Sequence, residues 1–352
     1  MPIETLKPVL LTGAGFTKDI GGYLAQEMWA QIFNSPGITA SPRLSNILKN
    51  DIGFDYESVY DKVIYGHDTN EEEREAFSDA LFNAYQVLDD RIRGLEGNQS
   101  RGGGVDLDKL CSFLRNFSGT ENDRGFFFTL NQDLFIERWV AGREAHFHEK
   151  LQIWIPGIDN QVSGKNEATL EKEDFLTLPQ ESAMATHVER NEGKVSIYGR
   201  FQYIKLHGSW NWRTSDGKMA MAIGHAKSAL LKNEPLFKWY LETFNHVVTQ
   251  DNCLLLVIGY GFHDPHINDV IAEGIKKKNL KLFVVNPQSP QDFRQMLMSH
   301  VYGSQGLCGG LIWDHGVTGY FQATMSQLFP RNGSMHLSES ALVKQIRESV
   351  FQ

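Results

Sequence analysis

The hydrophobic pattern changes period along the chain. Val9, Leu10 and Leu11 form a short unbroken apolar run that reads as a buried parallel strand, and the run passes directly into Gly13, Ala14 and Gly15. A helix is expected to start just after Thr17. From about 24 to 120 the pattern is mostly helical, with apolar residues at helical spacing in YLAQEMWAQIF and EREAFSDALFNAYQVLDDRI; the glycine-rich GNQSRGGGVDLD marks a surface loop within it. Phe126 to Phe128 read as a second buried strand. The polar stretch at about 155–195 has no clear period and reads as an insertion or long loop. VSIYGRFQYIKLHGSWNW alternates and predicts a third strand, NCLLLVIGYGFHDPHIN contains a fourth, and KLFVVNPQS a fifth. Trp210 and Trp212, two apart on a strand, share one face and read as packing residues. ESALVKQIRESVF carries apolar residues at helical spacing.

Four of these strands finish in polar residues. Thr129, Asn131 and Asp133 follow the second; His207, Gly208 and Ser209 the third; Gly259, Gly261 and Asp264 the fourth; Asn286 the fifth. In open parallel sheets ligands bind beyond that edge. The opening glycine turn suits a nucleotide phosphate, because glycines let the backbone come close and a helix start presents free N–H groups. It also suits a plain strand-to-helix turn. Two named motifs are excluded: the third glycine of the dehydrogenase fingerprint is replaced by Lys18, and the Gly-Lys-Ser/Thr of the ATPase phosphate loop is missing.

A length of 352 residues fits one large α/β domain with an inserted helical lobe, or two domains. Hydrophobic residues at 41% and charged residues at 22% are ordinary for a globular protein, and no run approaches the roughly 18 apolar residues of a membrane helix. The opening MPIETLKPVLLTGAG lacks a basic segment followed by a cleavable apolar one, so a cytoplasmic location is expected. A net charge of −9 argues against non-specific nucleic-acid binding. The run Lys276, Lys277, Lys278 reads as a solvated helix end. Cys111, Cys253 and Cys308 are too scattered for a disulfide framework or a structural zinc, and His263 with His266 lacks a further ligand cluster, so no metal is expected.

The ordered set GAGFT, TLNQD, KLHGS, GYGFHD and VVNP resembles the sirtuin superfamily, closest to its bacterial sirtuin-like branch in antiphage defence. The resemblance implies a Rossmann-like parallel sheet with an inserted helical lobe, an NAD-binding catalytic domain over 1–330 and a C-terminal helical segment over 331–352. It implies NAD as substrate. Gly13, Ala14, Gly15 and Thr17 would hold the phosphates, Phe16 would sit at the cofactor's edge, and Thr129, Asn131 and Asp133 would face the nicotinamide ribose. His207 matches the catalytic histidine, Gly259, Tyr260, Gly261 and Asp264 the loop beside diphosphate and ribose, and Asn286 an adenosine-ribose contact. The four-cysteine zinc module of sirtuin deacylases is missing from the sequence, and the histidine comes far later than in deacylases. The expected activity is therefore hydrolysis of NAD to nicotinamide and ADP-ribose by a triggered defence effector. A non-catalytic NAD or ADP-ribose sensor is the alternative, and a protein deacylase a more distant one. Asn131 would be the principal catalytic group, His207 a base, and Asp133 an orienting group. Asn131 also suits a helix N-cap, and His207 a hydrogen-bonded strand end. A homo-oligomer or a protein partner from the same defence system is expected to control activity; the helical lobe and ESALVKQIRESVF are either its contact surfaces or segments that simply pack on the core.

Overall fold

The computed structural model describes residues 8–94, 104–119, 125–140, 152–158, 175–184, 200–224, 227–331 and 339–351. Most of the predicted insertion, 159–174 and 185–199, the tip of the glycine-rich loop at 95–103 and the start of the predicted third strand lie outside the described residues, as does 332–338 of the C-terminal segment.

Among the described residues seven strands form the central sheet: β1 (Val9–Thr12), β2 (Gly125–Thr129), β3 (Gln152–Trp154), β5 (Arg200–Lys205), β8 (Leu254–Ile258), β9 (Lys281–Asn286) and β12 (Val317–Gln322). Their order is β12-β9-β8-β1-β2-β5-β3, and every pairing is parallel. A second sheet has the order β4-β6-β7, from Leu176–Thr177, Gly208–Arg213 and Met219–Met221; β10 (Tyr302–Gly303) and β11 (Gly306–Leu307) make a small hairpin. This is a mixed α/β fold with a Rossmann-like sheet. Leu10, Leu11, Phe127, Phe128, Leu255 and Leu256 are buried, as expected for strands covered on both faces. Successive side chains of β2 point opposite ways: Phe128 packs edge-on against Phe244 of the helix Pro235–Val248, while Phe127 packs against Phe16 and Tyr203.

The chain runs outward from β1 through β2 to the edge strand β3, steps back to β5 between them, then lays β8 on the other side of β1 and continues to β9 and β12. The direction of winding therefore reverses between β1 and β8, which opens a crevice beyond their C-terminal ends.

Between β1 and β2 lie the helices Ala25–Phe33, Pro36–Ala40, Pro42–Lys49, Tyr56–Ile64, Glu71–Arg93 and Leu107–Leu114, the expected helical lobe. The long helix Glu71–Arg93 starts at a reciprocal cap: Asn70 Oδ1 accepts from Glu73 N–H at 2.9 Å and Glu73 Oε2 from Asn70 N–H at 3.0 Å. The lysine run closes the helix Pro265–Lys278, where Asn279 takes a left-handed conformation.

Three expectations need correction. The helix after the glycine turn begins at Gly15, not after Thr17, and lasts one turn, Gly15–Lys18. The predicted third strand is two strands in different sheets: β5 stops at Lys205, the chain turns at Leu206 and His207, and β6 begins at Gly208. Gly208 makes this turn possible, with φ at +73° and no space for a side chain beside Ala220 O. The apolar stripe of the helix Ala341–Val350 is used within the chain. Val343, Ile346 and Val350 are buried, and Phe351 packs on Phe117 with ring centroids 4.9 Å apart.

No helix among the described residues is long and apolar enough to cross a membrane.

Candidate functional site

The strand registers bring the sequence-predicted residues to one edge of the sheet. Thr12 pairs with Thr129 and Ile258, Thr129 pairs with Lys205, and Ile258 pairs with Val285. Gly13, Asn131, His207, Gly259 and Asn286 each follow one of these paired positions by one or two residues. They line the C-terminal edge, with the Gly13 and Gly259 turns at the winding reversal.

The two glycine turns interlock. Gly13 N–H donates to Ile258 O at 3.1 Å and Gly15 N–H to Gly259 O at 2.9 Å. A Cβ on Gly15 would stand 2.8 Å from Gly259 Cα, and Gly259 itself has φ at +66°. Ala14 is exposed at the tip of the turn. Phe16 turns away from the edge and is buried between Phe127 and Phe135, at 6.1 and 6.2 Å between centroids.

After β2 the loop is held from several sides. Thr129 Oγ1 accepts from Thr12 Oγ1 at 2.8 Å and from Asn131 N–H at 3.1 Å. Asn131 Nδ2 reaches Thr17 Oγ1 at 3.4 Å, and Thr17 Oγ1 donates to Asp133 Oδ2 at 3.0 Å. Asp133 Oδ1 accepts the N–H of Phe135 at 3.0 Å, at the first turn of the helix Phe135–Trp139. Asn131 does not cap this helix, whose N-cap is Leu134; Asp133 holds the first N–H in an Asx turn. Burial raises the Asp133 carboxyl above its ordinary range against the opposing pull of Lys205. Gln132, which the sequence did not single out, ties this loop to the helical lobe. Its Oε1 accepts from Tyr85 and from Tyr56, its Nε2 donates to Ala222 O at 3.2 Å, and its backbone O accepts from Trp210 N–H and Ser209 Oγ.

His207 is buried in the turn after β5, and its Nε2 lies 3.1 Å from His266 Nε2 and 3.7 Å from Asp264 Oδ1. Asp264 precedes the helix Pro265–Lys278 at the N-cap position, yet its side chain does not cap. It accepts from Lys227 Nζ at 2.7 Å, and Lys227 also meets Glu57 Oε2 of the helical lobe at 2.6 Å. Burial holds His207 well below the usual imidazole range, so it is neutral at pH 7; Asp264 opposes this and Lys227 reinforces it. Burial would raise Asp264, but the Lys227 ammonium at 2.7 Å keeps it below the usual carboxylate range. Lys227 is raised, its two carboxylates outweighing burial.

His207, Asp264 and His266 place metal-ligand atoms within 4.8 Å of one another, so the further cluster that the spacing of His263 and His266 lacked does exist for His266. His263 is exposed. The imidazole centroids are 5.3 Å apart, almost as far as the nitrogen separation and the two ring radii allow. The nitrogens therefore meet head-on, as in an N–H···N bond, instead of converging on an ion, and Lys227 already neutralises the carboxylate.

Tyr260 acts on its own loop: its hydroxyl donates to Asn268 Oδ1 at 3.0 Å and accepts from Asp264 N–H at 3.2 Å. The same loop carries left-handed Gly259 and buried Phe262, φ +56°, a conformation unusual for a bulky residue. Gly261 is half-buried beside the His263 ring. Asn286 Oδ1 accepts from Gln288 N–H at 2.9 Å and shapes the turn after β9.

No curated protein matches the chain. The SIR2-like domain family matches residues 125–303, half of the chain, beginning at β2 and including Asn131, His207, Gly259, Asp264 and Asn286 but neither the first glycine turn nor the helical lobe. On that match, and with the parallel sheet and its polar C-terminal edge, the chain belongs to the SIR2-like domain family.

Proposed function

We propose that this protein hydrolyses NAD, releasing nicotinamide, ADP-ribose and a proton. SIR2-like domains use NAD as substrate, which makes the function NAD-related. The observation that carries the finer reading is the pairing of Thr129 with Lys205 on neighbouring parallel strands, with Asn131 and His207 each two residues beyond it. A carboxamide and a neutral imidazole thus share one level of the edge, next to the crevice beyond β1 and β8.

That pair matches what the reaction needs. The nicotinamide ring carries positive charge while bound to ribose C1′, so it leaves neutral with the bond electrons and needs no general acid. What remains is to position water and ribose, to stabilise positive charge at C1′ and to accept the water's proton. Asn131 orients water or ribose hydroxyls through its amide. His207, kept neutral by burial, accepts the proton. Asp133 serves the site indirectly, with its oxygens engaged by Thr17 and Phe135 N–H. Backbone groups around Ala14 and Gly259 receive the diphosphate.

Uncontrolled hydrolysis would drain a cell of NAD, so we further propose that activity is triggered, through self-assembly or a protein partner, in the manner of an antiphage effector. The test is to incubate purified protein with NAD, alone and with the products of neighbouring genes, and to follow nicotinamide. Release that disappears in His207→Ala while NAD binding persists supports hydrolysis. Binding without release under every condition makes the protein a sensor.

A further inference from the structure

The head-on contact of two imidazoles leaves one proton for two nitrogens. His207 Nε2 and His266 Nε2 are 3.1 Å apart, and an N–H on one must point at the lone pair of the other. The arrangement has two forms. If His266 donates, the only lone pair of His207 is occupied and its proton sits on Nδ1, which leaves His207 no free basic nitrogen. If His207 donates, its Nε2–H is held and its lone pair is on Nδ1, free to take a proton.

Surrounding charge favours the second form. Asp264 Oδ1 lies 3.7 Å from His207 Nε2, so that side of the ring faces a carboxylate and an imidazole acceptor together. Asp264 also lies within 4.8 Å of the His266 nitrogen, but it is nearer to His207, and a proton between two imidazoles settles on the nitrogen closer to the negative charge. Lys227, 2.7 Å from the same oxygen, weakens this attraction without cancelling it, because Glu57 lies 2.6 Å from the ammonium and gives the group two carboxylates against one cation.

We propose that His266 is a positioning residue that accepts the Nε2–H of His207, fixes its tautomer and leaves Nδ1 as the nitrogen that takes the proton. The proposal rests on the hydrolase reading for its chemical consequence. As the water oxygen bonds to C1′, the C1′–N bond breaks with its electrons going to nicotinamide, and the water's proton passes to His207 Nδ1. The resulting imidazolium keeps its Nε2–H on His266 and has Asp264 beside it; the proton later leaves to solvent. This is the orienting logic by which a second group on the far nitrogen selects the working nitrogen of a histidine.

The full chain labelled with 15N-histidine, without NAD, reports the tautomer through long-range nitrogen–proton correlations, with His207→Gln identifying the His207 signals. The expected result is a His207 proton on Nε2, a mixture of tautomers in His266→Phe, and recovery in His266→Gln, whose carbonyl can accept. In turnover, His266→Phe should lower kcat by about ten- to a hundredfold, the range for losing an outer orienting partner, with KM for NAD unchanged and partial recovery in His266→Gln. A His207 proton on Nδ1 in the unmodified chain, or kcat unaffected in His266→Phe, overturns the proposal. Should His266→Phe not fold, the unmodified chain and His266→Gln decide it. Absence of any NAD cleavage overturns the hydrolase reading instead, and the tautomer assignment is decided by the nitrogen signals alone.

Discussion

Gly15 and Gly259 exclude side chains from each other: a Cβ on Gly15 would meet Gly259 Cα at 2.8 Å, and a Cβ on Gly259 would meet Gly15 Cα at 2.6 Å. The sequence motif suggested that these glycines make room for a diphosphate. The structure gives them a prior task, closing β1 and β8 against each other where the winding reverses.

Gly15→Val should therefore lose stability and NAD binding together, at a cost of at least about 1–3 kcal/mol for overpacking rigid backbone. Urea unfolding and an NAD titration on the same preparation check this. A variant with unchanged unfolding that fails to bind NAD would assign the glycine to the ligand alone.

Asn131→Ala should lower kcat by about 10²–10³ and leave the unfolding free energy within about 0.5 kcal/mol, because the side chain's contact to Thr17 is long at 3.4 Å and the helix start is held by Asp133. Nicotinamide release and thermal unfolding measure the two effects. A large stability loss with activity preserved would make Asn131 a structural residue.

Asp89→Ala should cost about 1.5–3 kcal/mol, the range for losing hydrogen bonds to charged groups, because its buried carboxylate is shared by Arg138 and Arg93. Arg138 binds Asp89 through two nitrogens, at 2.6 and 2.7 Å, joining the lobe helix Glu71–Arg93 to the helix just after the Asn131 loop. The variant should also raise KM for NAD by loosening that loop. Unfolding within about 1 kcal/mol of the unmodified chain would show that the pair is dispensable.

Acid stability should depend on Asp51. Burial would raise its carboxyl, but Lys62 at 2.8 Å, the Asp55 N–H and the Ser58 hydroxyl outweigh burial and hold it below the ordinary range. A folded pKa lower than the unfolded one, about 3.9, adds stability that is fully present above that value and is lost as pH falls through the folded pKa. Asp51→Asn should flatten unfolding free energy against pH below about pH 4. An unchanged slope would mean that other carboxylates carry the acid dependence.

Long buried strands and strongly periodic helices were legible in the sequence. β1, β2, β8, β9 and the helices Ala25–Phe33 and Glu71–Arg93 fall where the periods put them. The sheet edges were not: β3 has three residues, and β12 carries Gly319 inside it and has no continuous buried run. The break between β5 and β6 was hidden by continuous alternation, and only Gly208 marked it. Of the site, Asn131, His207 and the glycine turns stood in recognisable motifs. His266, Lys227 and Glu57 did not, because their partners lie on other elements and tertiary packing alone brings them together; His266 meets a residue 59 positions away. Asp264 was recognised, but its role was not, since an aspartate before a helix ordinarily caps it.

The central position of β1 also bears on how the protein is made. It is the first of the seven strands to leave the ribosome, yet its two neighbours are β2, beyond the whole helical lobe, and β8, later still. Until β8 is made, this buried, mostly apolar strand waits with at least one open edge, which makes folding slow and gives chaperones a reason to attend. The crevice needs Gly259 against Gly15, so a growing chain contains no complete nucleotide site. On the proposed hydrolase reading, the protein is thereby inert until Gly259 has been translated.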